Sequence, residues 1–236
     1  PEFAVDSLKE LAENSHHEVV AVITQPDRPK GRGQKVLMTA VKEYAMTKCL
    51  PVLQPAKIRN KEFIEELRAL KPELIVVVAF GQVLPKDILQ MPKYGCINVH
   101  ASLLPKYRGA APIHYAIMNG EKETGVTIMM MDEGMDTGAM LSKSVIEISD
   151  DMTMGCLHDQ LKIAGAKLLL DVVEGLERGT IKPIPQNNAE ATYASLLDKK
   201  IEKIVWSSTA KEIHNKVRGL NPWPGAHSFL PDGRKL

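Results

Sequence analysis

The sequence predicts an α/β fold, a mostly parallel sheet with helices on both faces, followed by the opening of a small second unit. Three observations carry that expectation. Short apolar runs alternate with stretches of helical spacing along residues 1–180, the pattern of strand–helix–strand units. One run, residues 74–78, is apolar without interruption, as in a strand covered on both faces. After Gly179 the texture changes, and Pro183, Pro185, Asn187 and Asn188 replace the periodic pattern.

Element by element, Pro1 opens a helix whose buried face is Phe3, Leu8 and Leu11. Residues 19–23 form a strand, and a basic Gly/Pro-rich loop fills 25–35. A helix over 39–47 leads to a short strand at 51–53. The next helix, 63–70, ends at Pro72 and is followed by the strand 74–78. A helix near 86–90, a strand at 96–100 and a helix at 112–119 closed by Gly120 come next. Residues 125–131 and 140–146 supply the last strands. Leu157, Leu161, Ala164, Leu168, Val172 and Leu176 keep helical spacing until Gly179. Beyond the linker, a helix at 209–218 and a strand at 226–230 begin the second unit.

Composition excludes several function classes. Formal net charge is +1, so any nucleic-acid contact must come from a local patch. No apolar run reaches the roughly 18 residues of a membrane span, and the expected location is cytoplasmic. Cys49, Cys96 and Cys156 lie far apart without a CxxC pair, which argues against a disulfide framework and against a zinc site.

The stretch that carries chemistry is Asn98-Val99-His100, then Ser102-Leu103-Leu104-Pro105, and later Asp136 within DEGMDTG. Two residues apart on a strand, Asn98 and His100 project from one face, at the carboxyl end where open α/β sheets place their sites. Taken singly, each has a plainer use: a satisfied strand-end histidine, an edge asparagine, an aspartate in an Asx turn. Together they suit transfer of an acyl carbon to an amine. An amide N–H and an imidazolium can both meet a developing oxyanion. A carboxylate beside the imidazole keeps it protonated and oriented, and the histidine relays a proton to the leaving nitrogen. The second signal is the basic loop. Arg28, Lys30, Arg32 and Lys35 fall within eight residues, opposed only by Asp27. Such a run is commonly a solvated surface, but against phosphates each cation adds salt-sensitive attraction.

The runs INVHASLLPKYRGAAPIHYAI and GVTIMMMDEGMDTG, with TQPDRPKGRGQK and the late NPWPGA, resemble the folate-dependent formyltransferases, and within them those acting on methionyl-tRNA. The resemblance extends from Pro1 to about Gly225. It implies a Rossmann-like catalytic domain over 1–182, a linker over 183–199 and the beginning of a C-terminal β-barrel domain over 200–236. It implies that Asn98, His100 and Asp136 are catalytic. It places Ser102, Leu103, Leu104 and Pro105 against tetrahydrofolate, and Phe80, Gly81, Gln82, Val83 and Leu84 along the pterin. It assigns the basic loop, with Arg32 foremost, to the tRNA acceptor end. The expected reaction moves formyl from 10-formyltetrahydrofolate to the amine of initiator Met-tRNA, without a metal, a membrane or an obligate protein partner.

The family pattern also has a β-strand and Gly-Thr before the position of Pro1, and a complete barrel beyond 236, so both are expected in the intact protein. Rival expectations are a sugar-nucleotide N-formyltransferase, a formyltetrahydrofolate hydrolase and a non-enzymatic RNA-binding module. The long basic loop argues against the first, and the three retained catalytic residues against the last.

Overall fold

The computed structural model describes residues 1–14, 16–30 and 35–236. Helix α1 (Phe3–Glu13) comes first, then strand β1 (Val22–Ile23). Strands β2 (Arg28–Lys30) and β3 (Lys35–Leu37) follow, then α2 (Ala40–Thr47), β4 (Val52–Leu53) and α3 (Lys61–Ala69). Next come β5 (Ile75–Val77), α4 (Lys86–Leu89), β6 (Cys96–His100), β7 (Arg108–Gly109) and α5 (Pro112–Met118). The long β8 (Glu123–Met130) and β9 (Met140–Glu147) lead to α6 (Met154–Glu177), β10 (Tyr193–Ala194) and α7 (Ala210–Gly219).

Sequence and structure agree on the α/β architecture. β1 pairs β4 in parallel, and β5 pairs β6 in parallel. The sheet β5-β6-β8-β9 then turns antiparallel at β8 and again at β9. The connection 131–139 is too short for the dozen or more residues of a parallel crossover, so β8 and β9 must run against one another.

Alternation along the strands sorts side chains into two cores. Ile97 and Val99 of β6, with Val126 and Ile128 of β8, join Leu157, Leu161 and Leu169 of α6 on one face. Cys96 of β6, with Ile75 and Val77 of β5, packs on the other face with Phe63, Ile64 and Leu67 of α3 and Ile88 of α4. Helices therefore cover both faces, as expected. Burial there pushes the Cys96 thiol up to about 12, so it behaves as a small apolar packing group. Period two then puts Asn98 and His100 on the Cys96 side, just beyond the end of that second core.

Helix starts follow capping chemistry. Thr39, Asn60, Thr153 and Thr209 each accept a backbone N–H from the first turn, and Thr209 completes a capping box with Glu212.

Three segments differ most from the sequence reading. The strand expected over 19–23 is regular only at Val22–Ile23. The basic loop is not loop throughout, because β2 and β3 form an antiparallel ribbon with Arg28 opposite Leu37 and Pro29 opposite Val36. In the second unit, residues 226–230 make single bridges, Lys203 to His227 and Phe229 to Lys235, in place of a strand. Among the described residues no helix is long and apolar enough to cross a membrane.

Leu161 is fully buried between α6 and the sheet. Leu161→Ala trims that side chain and leaves a cavity, which lowers stability by about 2–5 kcal/mol. Urea unfolding checks this through a lower midpoint at an unchanged slope.

Candidate active site

His100 ends β6 and is buried. Its Nε2 lies 2.9 Å from the Tyr107 carbonyl oxygen. A carbonyl only accepts, so Nε2 carries the hydrogen and donates it. Nδ1 lies 3.7 Å from Asp136 Oδ2, close enough for charge interaction but too long for a hydrogen bond. Nδ1 is thus the ring atom left to take up or release a proton beside a carboxylate. Asn98 is half-buried on the same face, and among the described residues its side-chain amide has no hydrogen-bond partner.

The strand register builds the floor of the site. His100 stands opposite Thr127 of β8, and Thr127 opposite Lys143 of β9, a polar row across three strands. The loop 102–105 lies over that row. Thr127 Oγ1 donates to the Ser102 carbonyl at 2.7 Å and accepts the Leu104 N–H at 3.1 Å. Lys143 Nζ donates to the Leu104 carbonyl, and burial draws its ammonium below the usual lysine range. Gly125, on the same side of β8, leaves room for Leu103, whose side chain a Cβ there would strike.

Asp136 adopts a left-handed backbone with φ 53°, an uncommon conformation that aspartate tolerates better than most residues. Its Oδ2 accepts the Gly109 N–H at 2.7 Å. Gly109 itself has φ 114°, and a Cβ there would strike the Ala194 carbonyl, so glycine is required for this close approach. The structure therefore brings His100 and Asp136 together at one end of the sheet.

The segment 80–84 lies beside them. A cavity of about 150 Å³ is lined by Gln82, Val83, Leu84, Met129, Met131 and residues 132–136. Phe80 and Gly81 do not line it, and Phe80 packs on the second core. Of the 102–105 loop, Ser102 and Leu104 are wholly buried, which leaves Leu103 and Pro105 as the side chains able to meet a ligand. Ser102 Oγ donates to the Lys106 carbonyl at 2.6 Å, so that loop is held by its own bonds. A larger depression of about 630 Å³ lies at the start of α3, lined by Pro55, Lys57, Arg59 and Glu66 among others. It contains none of the expected site residues and lacks their chemistry.

The basic ribbon is anchored at its root. Lys42 donates to Asp27 Oδ2 at 2.6 Å and to Gln54 Oε1 at 2.7 Å, and Gln54 donates to Asp27 Oδ1 at 2.8 Å. These bonds hold the Asp27 carboxyl below its ordinary range. Gln25 Nε2 reaches the Phe80 carbonyl at 2.9 Å, joining the root to the segment 80–84. Arg28 is exposed. Arg32 lies outside the described residues, and of Lys30 and Lys35 the structure describes the backbone alone.

Sequence reasoning missed Thr127, Lys42, Met129 and Met131, together with Gln186, which bonds the Asp136 carbonyl, and Arg108, which bonds Gln186. Arg108 had a usable signal, a cation placed within the same motif as His100.

A formyl transferase family model matches residues 1–173, and the C-terminal domain model of formyl transferases matches 196–236. Methionyl-tRNA formyltransferase of Acetivibrio thermocellus is 54% identical over 236 residues, all of this chain and 75% of that protein. The enzyme of the same name from Clostridium perfringens strain 13 is 56% identical over 233 residues, 98% of this chain and 75% of its own. Among solved structures, the N-formyltransferase of Helicobacter canadensis, in complex with folinic acid and dTDP-3-aminofucose, superposes with a TM-score of 0.69 at 26% identity. That likeness covers 92% of this chain and 76% of the other. A 4-N formyltransferase from Francisella tularensis shares the fold with a TM-score of 0.75 at 19% identity, over 98% of this chain and 89% of the other.

Thr127→Val keeps the shape of the side chain and removes its hydroxyl. The Ser102 carbonyl and the Leu104 N–H are then left without a buried partner, at about 1–3 kcal/mol for each unsatisfied group. A lower thermal midpoint together with faster amide exchange at Leu104 is the expected outcome.

Proposed function

The chain belongs to the formyl transferase family, and from that premise we propose that it transfers a formyl group to the amino group of methionyl-tRNA. The donor is 10-formyltetrahydrofolate and the acceptor is the initiator species. The observation that carries this reading is the whole-chain identity to methionyl-tRNA formyltransferases, joined to a buried histidine whose one unbonded nitrogen faces a carboxylate.

The cavity fits part of the donor. Val83, Leu84, Met129 and Met131 give an apolar lining and Gln82 a polar anchor, as small-molecule sites require. Its volume of about 150 Å³ is below the roughly 300–1,000 Å³ of a site that encloses a whole cofactor, so the ring end enters and the rest lies along the surface. When bound, the folate supplies the activated formyl carbon.

The chain's own residues do the rest. Asn98 donates its amide N–H to the formyl oxygen as negative charge gathers there. His100 Nδ1, the ring nitrogen without a hydrogen bond, takes the proton released by the attacking amine. It returns that proton to the departing nitrogen. The Asp136 carboxylate, 3.7 Å away, stabilises the ring while it is charged. No nucleophilic side chain is needed, because the amine itself attacks.

The acceptor is gripped at a distance from this chemistry. Arg28, Lys30 and Lys35 lie on the β2–β3 ribbon, and with Arg32 in the same stretch of sequence they make a run of cations suited to phosphate. A nucleotide sugar, such as the dTDP-3-aminofucose bound in the complex of the Helicobacter canadensis relative, has no need of such an arm.

Two outcomes test the proposal. His100→Ala and Asn98→Ala each lower turnover by roughly 100-fold or more while folate affinity changes little, as single-turnover rates with labelled donor would record. Offered Met-tRNA, an amino-sugar nucleotide and water, the enzyme formylates Met-tRNA; preference for either other acceptor would replace this reading.

Changing Arg28, Lys30, Arg32 and Lys35 to Ala removes four cations that phosphates could pair with. Met-tRNA affinity falls, and the slope of log affinity against log salt flattens by roughly 0.7–0.9 for each phosphate no longer neutralised. Folate affinity stays the same. An unchanged slope would move the arm out of the tRNA interface.

A further inference from the structure

The segment 184–194, which the sequence reads as linker, is bonded to both loops that build the site. Ile184 exchanges two backbone hydrogen bonds with Met140, each 2.8 Å. At its other end, β10 pairs in parallel with β7, and the Arg108 N–H donates to the Thr192 carbonyl at 2.9 Å. Thr192 Oγ1 accepts the Tyr107 N–H at 2.9 Å, directly behind the carbonyl that fixes His100.

Between these ends lies Gln186. Its Oε1 accepts from Arg108 Nε at 3.0 Å and from an Arg108 terminal nitrogen at 2.8 Å. Its Nε2 donates to the Asp136 carbonyl and to the Gly138 carbonyl, both at 2.8 Å. A guanidinium only donates, so Oε1 must face it and the amide nitrogen must face the two carbonyls. The orientation is therefore dictated by chemistry. Arg108 is 2% exposed, and its other acceptor is the Asn188 side chain at 2.8 Å. Among the described residues it has no carboxylate partner.

We propose that Gln186, oriented by Arg108, is a positioning residue for the His100–Asp136 pair. One amide group grips two carbonyls two residues apart, and the first of them belongs to Asp136 itself, the residue with the left-handed backbone. That backbone aims the carboxylate at the Gly109 N–H and at His100 Nδ1. Without the grip, nothing from the 184–194 segment holds the turn at 136–138, and the carboxylate leaves its station beside the ring. The inference rests on the role given above to Asp136.

Gln186→Glu in the full-length enzyme separates the two halves of the clamp. The carboxylate keeps both bonds to Arg108, now as an ion pair, and has no donor to offer the 136–138 loop. Gln186→Met, similar in size but unable to bond on either side, is the second variant and is read in the same way if the first folds poorly. The expected result is a fall in kcat of about 10- to 100-fold, the scale of a small misplacement of a reacting group. KM for folate and for Met-tRNA changes by less than about twofold, as for an interaction made only in the transition state. The decisive measurement is the cycle with Asp136→Asn. Acting through Asp136, the Gln186 change adds less than about a further twofold in that background, whereas independent effects multiply. Unchanged kcat in both Gln186 variants, a loss confined to KM, or full multiplication in the double variant would overturn the inference. Wild-type turnover in Asp136→Asn alone would instead remove the role given to Asp136.

Discussion

The hydrogen bond from His100 to the Tyr107 carbonyl constrains everything else at the site. It fixes where the first ring proton sits, and so leaves one nitrogen for chemistry. It also ties the end of β6 to the loop that returns towards β7. That loop is held in turn by Thr127 and Lys143, which share a row with His100 across β8 and β9. His100, the loop 102–105 and the sheet register are therefore one mechanical unit. A slip of β8 by one residue would turn Thr127 into the opposite core and leave that loop unsupported.

Burial explains why such a unit is polar at all. The hydroxyls, the Gln186 amide and the Arg108 guanidinium here each meet an acceptor or a donor, as groups taken out of water must. Asn98 differs: it is half-buried, and its amide is open to solvent and without a protein partner among the described residues. Its amide, free of protein partners at the carboxyl end of a parallel pair, is available to a ligand oxygen, as the proposed function requires.

Much of this was legible in the sequence, for identifiable reasons. Period-two spacing placed Asn98 and His100 on one face, and the alternation of Cys96 with Ile97 and Val99 follows the same rule. The apolar run 74–78 announced a two-sided strand, shorter in the event at Ile75–Val77. What could not be read is long-range or main-chain. The carbonyl of Tyr107 has no letter in a sequence. Thr127 reads only as a good strand former. Gln186 meets Arg108 across 78 positions, so its composition suggested linker while its geometry is that of a clamp. The arm misled because Pro29, Gly31 and Gly33 are loop signals, and strand pairing of Arg28 with Leu37 leaves no periodic apolar pattern when both sides face water.

The root of that arm carries a consequence for how two substrates share one protein. Asp27, Lys42 and Gln54 grip the base of the ribbon, and Gln25 passes the connection to the Phe80 carbonyl, two residues before Gln82 at the cavity wall. The root of the ribbon thus belongs to the same polar cluster that borders the cavity. On the proposed reading, a polyanion held by the ribbon pulls on a clamped base and not on a slack tether. Either the cluster holds and the wall stays in register, or it yields and the segment 80–84 moves with it. Affinities for acceptor and donor are free to be independent only in the first case; in the second, linkage requires each to alter the other by the same factor.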